Sequence, residues 1–506
     1  MNYNSKLKEN NITNHEGAKA YAITPELELY TAVVTTSLDD SFYERGGERV
    51  NRIVELIGKV QPMFVAQLAV YTRTVMNLRS VPLLLLVELA RHHNGDDLVS
   101  RAVEKTVNRT DEIMELLMCY QWRNPNPGSI KKLGRLSRQI QVGLQKAFNK
   151  FDEYQFAKYD RDNIEVRLRD ALFVVHPKAK DKNQQVIFDK IANRQLETPY
   201  TWETELSALG QRKFLTDAMR NDAFRQKWKE LIHSGRLGYM AMLRNLRNIL
   251  NAGVSYNDIT VVTDRISDAQ QVAKSKQLPF RFLAAYREIE NVQSLYTKTV
   301  MDSLEKAVSH SAANIEGFDE NTRVLIAADV SGSMNWTISM HSSIRNFDIG
   351  LLLAMLMQSR CKSVITGIFG NLWKPVNVPS SNILMATEKL RQFMNEVGFS
   401  TNGYLVIDWL IEQNIIVDKV MMFTDTQMWD SNYRGASFEA SWNRYKQMAP
   451  DAKLYLFDLA GYKHAPLRIA KPDVYLIGGW SDRIFDILSA VDKGEDTLSL
   501  IKQIEI

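Results

Sequence analysis

The apolar residues of this chain change their period once. From Ile23 to about Val308 they recur at every third and fourth position, as in Val50, Ile53, Val54, Ile57 and Val60, followed by Phe64, Leu68 and Tyr71. That is the repeat of a helix with one buried face. Turn signals at Gln61-Pro62, Ser80-Val81-Pro82, His92-His93-Asn94-Gly95 and Asn124-Pro125-Asn126-Pro127-Gly128 cut the region into helices of ordinary length. Consecutive helix pairs with no convincing strand between them predict a stacked array, each pair hiding its apolar face against its neighbours. No strict sequence period accompanies the array, and a compact irregular helical domain satisfies the same pattern.

A small polar stretch from Ser309 to Asn321 reads as a joint, and strands are predicted beyond it. Short apolar runs at Val324 to Ala328, Val364 to Phe369, Val420 to Phe423, Leu454 to Phe457 and Val474 to Ile477 alternate with segments of helical period. Strand alternating with helix predicts a doubly wound α/β domain, a parallel sheet with helices on both faces and its ligand site beyond the strands' carboxyl ends. The expected organisation is a polar segment over 1–20, an all-α helical-repeat domain over 21–318 and an α/β domain over 319–506. A chain of 506 residues needs more than one core in any case.

Composition narrows the setting. Hydrophobic residues at 45% and charged residues at 24% are ordinary for globular domains. The longest apolar run, SVPLLLLVELA between Arg79 and Arg91, is too short to span a bilayer, so no membrane partner is expected. The opening MNYNSKLKENNITNHEG lacks the apolar stretch of a secretory signal. Cys119 and Cys361 alone supply neither a disulfide framework nor a thiolate zinc cluster. A cytoplasmic location is the expectation.

The net charge of +4 hides an uneven distribution. Residues 101–250 hold 28 Lys and Arg against 18 Asp and Glu. Between Glu115 and Asp152 no acid opposes Arg123, Lys131, Lys132, Arg135, Arg138, Lys146 and Lys150. A second acid-free stretch, Leu231 to Asn257, carries Arg236, Arg244 and Arg247. Such clustering suits a polyanion; a solvated face answered by distant carboxylates is the plainer reading of any one run.

In the α/β part, Asp329-Val330-Ser331-Gly332-Ser333 follows the first strand directly. Thr401 precedes a helix, and Asp425 ends the Val420 strand, so all five residues are expected at one sheet edge. An oxygen-only set with two carboxylates suits a hard divalent cation, Mg²⁺ or Mn²⁺, with an open position for a partner protein's carboxylate. The Asp-x-Ser-x-Ser, Thr and Asp positions resemble the metal-ion-dependent adhesion site of the von Willebrand factor A domain.

Three stretches of the helical part carry a second resemblance: Thr13-Asn14-His15-Glu16-Gly17 with Pro25 to Tyr30, Phe64 to Tyr71 running to Ser80, and Ala157-Lys158-Tyr159 through His176-Pro177-Lys178. They resemble the TROVE domain, which with a C-terminal von Willebrand A domain is similar to the Ro ribonucleoprotein autoantigen family over nearly the whole chain. The resemblance implies HEAT-like repeats closed into a ring, Y-type noncoding RNA on the basic outer surface, and single-stranded 3′ ends of misfolded RNA in the central opening. It implies a role in RNA quality control or degradation, with an exoribonuclease or other protein docked at the metal, and a ring closed within one chain permits a monomer. Lys158, Arg161, His176 and Lys178 match family positions associated with Y RNA. Lys131, Lys132, Arg135 and Arg138 rest on charge alone, and Arg244 and Arg247 either line a central opening or face water. Ile164, Leu168, Leu172 and Val175 lie on one apolar face of a helix expected over Ile164 to Val175 and stopped by Pro177.

No phosphate loop, dinucleotide fingerprint, His-Glu-x-x-His or Gly-x-Ser-x-Gly motif occurs. A noncatalytic RNA-binding scaffold is therefore expected. The alternative is a metal-dependent protein adaptor without physiological RNA. A nuclease built on Asp329 and Asp425 needs paired metals and more carboxylates than these.

Overall fold

Proline and polar caps set the helix starts. Thr24 caps the helix Pro25–Val34 by accepting from Leu27 N at 3.3 Å, and Pro25 follows where its missing N–H costs nothing. Pro62 plays the same part in Pro62–Thr74. The computed structural model describes residues 11–36, 44–124, 136–311, 322–339, 342–379, 381–429, 437–469, 471–481 and 483–506. They form two compact units, each discontinuous in sequence: Met1–Ile53, Trp228–His233 and Gly238–Leu500 in one, and Val54–Lys227, Ser234–Leu237 and Ile501–Ile506 in the other.

The second unit is helical throughout its described elements. Pro62–Thr74, Ser80–His92, Leu98–Thr106, Thr110–Arg123 and Arg138–Phe148 pack against one another, and each buries the face its apolar spacing predicts. Leu98–Thr106 and Arg138–Phe148 approach closely. There a Cβ on Gly143 would stand 2.5 Å from Val103 Cβ and 2.8 Å from the Ser100 carbonyl oxygen. Gly143→Ala is expected to cost about 1–3 kcal/mol by overpacking, measured as a lowered urea midpoint. An unchanged midpoint would show that the two helices separate freely.

The first unit contains a six-stranded sheet in the order β5-β4-β3-β6-β7-β9. Its strands are β3 (Arg323–Asp329), β4 (Ser363–Phe369), β5 (Trp373–Pro375), β6 (Lys419–Thr424), β7 (Lys453–Asp458) and β9 (Val474–Gly478). All pair in parallel except β5, which runs antiparallel to β4. The strands expected at residues 324, 364, 420, 454 and 474 are all present. Strands β3 and β6 are apolar runs because both faces are covered. The helix Asn346–Gln358 is buried on every side, as a helix apolar all round must be.

Besides β5, three short strands were not evident in the apolar pattern. β1 (Asn11–Thr13) and β2 (Lys19–Ala22) form a hairpin, and β2 pairs antiparallel with β8 (His464–Ala465). Next to them, Tyr30 Oη donates to the Gly478 carbonyl at 2.7 Å. Arg49 and Arg52, both nearly buried, reach the carbonyls of Ala460 and Gly461 at 2.6 and 2.7 Å and share the carboxylate of Glu44. The helical segment near the start of the chain is thereby clamped to the loop after β7.

Candidate functional site

The carboxyl edge of the sheet gathers the predicted oxygen ligands. Asp329 ends β3 fully buried; its Oδ1 accepts from Ser331 N at 2.9 Å and its Oδ2 from the Thr424 hydroxyl at 2.6 Å. The Ser331 and Ser333 hydroxyls lie 3.2 Å apart. Gly332 N donates to the Phe399 carbonyl at 2.8 Å, which joins this loop to the one bearing Thr401. The Thr401 carbonyl accepts from Trp429 N at 2.9 Å, joining that loop to the one bearing Asp425. Three loops, two of them following β3 and β6 and one joining two helices, are thus tied at their backbones, and Asp329, Ser331, Ser333, Thr401 and Asp425 are all buried.

Burial pushes the Asp329 carboxyl up, and burial together with the charge of Asp329 pushes Asp425 up further. Asp425 Oδ1 accepts from Gln427 N at 3.1 Å, whereas Asp425 Oδ2 is buried with no hydrogen-bond partner. An orphaned carboxylate oxygen beside a second buried carboxyl and three hydroxyls fits a hard divalent cation, which would satisfy the oxygen and offset the repulsion. Among the described residues no three His, Cys, Asp or Glu side chains cluster as metal ligands, so hydroxyls make up most of this donor set. Thr426, at φ +64°, holds the left-handed turn that follows Asp425. Thr424, Phe399 and Gln427 position this edge without belonging to the expected ligand set. Only Thr424 left a sequence signal, as a second hydroxyl at the end of β6.

In the helical unit, Lys158, Arg161 and Lys178 are exposed and make no ion pair among the described residues. Lys158 Nζ lies 5.6 Å from the ring centre of Tyr159. The helix expected to start at Ile164 starts instead at Leu168. The polar residues before it, Asp160 to Asn163, favour a turn, and Leu168, Ala171, Leu172 and Val175 form the buried face. His176 terminates this helix in the left-handed region at φ +50°, its N–H donating to the Leu172 carbonyl at 2.9 Å. A ladder of amides on Arg138–Phe148 and the adjoining Asn149 holds the chain from Val175 to Lys178. Gln145 Nε2 donates to the carbonyls of Val175 and His176 at 2.9 and 3.1 Å, and Asn149 Nδ2 donates to that of Lys178 at 2.9 Å. Arg138 is exposed on the same helix.

The acid-free run is partly spent internally. Arg123 pairs with buried Glu88, Lys146 pairs with Glu104, and Lys150 bonds to the carbonyls of Glu104 and Val107. These three are structural cations, because distant chain supplies the partners that the local sequence lacks. Lys131, Lys132 and Arg135 lie outside the described residues. In the first unit, Arg247 pairs with Glu288 at 2.8 Å, while Arg244 is exposed. Burial pushes both thiols, Cys119 and Cys361, up to about 12, which removes them as nucleophiles near neutrality. Among the described residues no helix is long and apolar enough to cross a membrane.

Comparison with known proteins places these sites in context. The TROVE domain profile matches residues 30–222 and 193–329, and the Ro60 vWA domain profile matches 323–489. Telomerase protein component 1 of Rattus norvegicus is 23% identical over 322 residues, which are 48% of this chain and 12% of that protein. The RNA-binding protein RO60 of Deinococcus radiodurans is 23% identical over 272 residues, 51% of this chain and 50% of that protein. The matches therefore span half or less of these relatives' lengths. The crystal structure of the Deinococcus radiodurans RO (RSR) protein superposes with a TM-score of 0.56 at 18% identity, covering 93% of this chain and all of that one. This last likeness is one of fold.

Proposed function

Because the chain belongs to the TROVE-domain family and carries a Ro60-type von Willebrand A domain, we propose that it is an RNA-binding scaffold without catalytic chemistry of its own. The observation that carries this reading is the set of exposed cations Lys158, Arg161 and Lys178, without an ion pair among the described residues, around one helix whose C-terminal turn is held by an amide ladder. Cations left without carboxylates on a rigid face are free to meet phosphates. The finer proposal is a small Y-type RNA on this face with His176 and Arg138, single-stranded 3′ ends at Arg244, and a cytoplasmic role in RNA quality control. Recognition of duplex would be by shape, because the A-form major groove is too narrow to read. Purification without nuclease tests the reading. The preparation is expected to carry extractable small RNA, and a bare protein that also fails to retard transcripts at low salt would leave the protein-adaptor alternative in its place.

The second part of the proposal is Mg²⁺ or Mn²⁺ at Asp329, Ser331, Ser333, Thr401 and Asp425, where the cation would supply a Lewis-acidic position for a partner protein's carboxylate, such as that of an exoribonuclease. Added Mn²⁺ is expected to raise the melting temperature and Asp329→Ala to abolish the shift; no shift in the wild type removes the metal. The pH dependence has a definite sign. Both carboxyls are raised in the folded state, so without metal they favour folding below the ordinary carboxylate range, and that contribution is lost as pH rises through their raised values. Bound cation opposes the loss. The Mn²⁺ effect should therefore grow from acid toward neutral pH in wild type and stay flat in Asp329→Asn/Asp425→Asn.

A further inference from the structure

Exposed apolar side chains gather at the edge that bears the oxygen donors. Within the described part of residues 323–506, the large apolar side chains that stand exposed are Trp336, Leu372, Met385, Phe399, Ile416 and Trp429. Four of the six, all but Met385 and Ile416, lie on the loops after β3, β4 and β6 or on the loop bearing Thr401, and they are 39% to 58% exposed. Apolar residues scattered singly over a surface need no explanation; four on the loops of one sheet edge do.

Hydrogen bonds of the main chain hold these loops in place. Trp336 follows the turn Ser333–Asn335, and its carbonyl accepts from Asn346 N at 3.0 Å. Leu372 N donates to the Val397 carbonyl at 3.0 Å, and the neighbouring Asn371 Oδ1 accepts from Ser400 N at 2.7 Å, so Leu372 is tied to the loop of Phe399. Phe399 and Trp429 supply the carbonyl and the N–H that knit the three ligand loops together. The turn of the β1–β2 hairpin also meets this edge, Asn14 Nδ2 donating to the Met428 carbonyl at 2.7 Å and His15 N to Gln427 Oε1 at 3.0 Å, yet the next residue, Trp429, stays exposed. Apolar groups presented on a fixed frame lose little freedom when a partner covers them.

Charge indicates what that partner brings. Arg345 bonds to the Asn335 side chain, one residue from Trp336, and has no ion pair among the described residues. A guanidinium at the rim and an open position on a cation bound at Asp329 and Asp425 both call for a carboxylate, and the apolar side chains around them call for apolar cover. Leu372 offers no face for a base to stack on, which favours a protein over single-stranded RNA.

We infer that this edge docks a protein segment in which an acidic side chain stands between apolar ones, the carboxylate reaching the cation and its apolar neighbours covering Leu372, Phe399 and Trp429. The inference rests on the metal proposed above and adds the chemistry of the partner to it.

The test is fluorescence anisotropy of three labelled peptides against the full chain with Mn²⁺: one with aspartate between leucine and phenylalanine, one with asparagine in place of that aspartate, and one with aspartate between glycines. The first is expected to bind about 10-fold more tightly than the third, the second not at all, and chelation of Mn²⁺ should release the first. Phe399→Ser/Trp429→Ser should bring the first and third peptides to equal affinity while keeping the Mn²⁺-induced rise in melting temperature, because the bonds that knit the loops are main-chain bonds. Equal affinities in wild type, or a preference unchanged in the double variant, overturn the inference and leave the metal site standing. Two further results also overturn it: binding of oligouridylate in place of the peptides and lost in the double variant, which makes the rim a surface for bases, and a Mn²⁺-dependent dimer lost in the double variant, which makes the occupant a second copy of the chain. A wild type with neither a Mn²⁺ shift nor a bound peptide overturns the metal reading and this inference together.

Discussion

Replacing Lys158, Arg161 and Lys178 together by alanine is expected to weaken small-RNA binding by about 100-fold at moderate salt, with the fold intact. At about 1 kcal/mol for each exposed charged contact, three contacts amount to ~3 kcal/mol, or about two powers of ten in Kd. The same variant should flatten the plot of log affinity against log salt by roughly 2, since each phosphate contact to a single strand contributes about 0.7 to the slope. Thermal stability should hardly change, because the three side chains are exposed and unpaired among the described residues. Lys146→Ala and Lys150→Ala provide the contrast. Those cations are engaged with Glu104 and with backbone carbonyls, so their loss should lower stability more than RNA affinity. Gel retardation across a salt series decides the matter, and a triple variant with wild-type affinity and slope would move the RNA face elsewhere.

The largest effect on stability is expected at Arg287. This residue, on the helix Phe280–Glu290, donates through Nη1 and Nη2 to both oxygens of Asp348 at 2.9 and 2.6 Å and through Nε to Glu388 at 2.6 Å. Asp348 is fully buried, on the helix at the centre of the sheet domain, and also accepts from Arg345 N at 2.9 Å. Arg287→Ala strips a buried carboxylate of its bidentate partner and leaves only Arg391 Nε at 4.0 Å, a change that costs about 3 kcal/mol. Its urea midpoint should fall sharply. Asp348→Ala should be comparably damaging, and the double variant less damaging than the sum, because the second change removes the charge stranded by the first. Additive effects would show that the two groups are solvated independently.

Much of the architecture was legible in residue order because burial periodicity is local. A helix with one buried face and a strand buried on both faces write different repeats into the chain, and the five principal strands lie where their apolar runs stand. The edge strand β5 and the strands β1, β2 and β8 have only two to four residues each, too few for a repeat to show. The Asp329, Ser331 and Ser333 spacing was legible for a similar reason: three residues in one turn at a strand end can only lie close together. Their links to the other loops, Gly332 to Phe399 and Thr401 to Trp429, are backbone bonds that leave no mark on residue type.

The sequence by itself determined the helical and α/β parts, the positions of the sheet's five main strands along the chain and the chemistry of the oxygen donors, because each depends on neighbours along the chain. Tertiary structure alone decided which cations are spent. Lys146 and Arg138 stand in the same acid-free run, yet one meets Glu104 across a helix pair while the other faces solvent. It also brought Asn14 and His15 to an edge built more than 400 residues later. Charge pairing and docking depend on distance in space, and distance in space is what a linear order of residues does not contain.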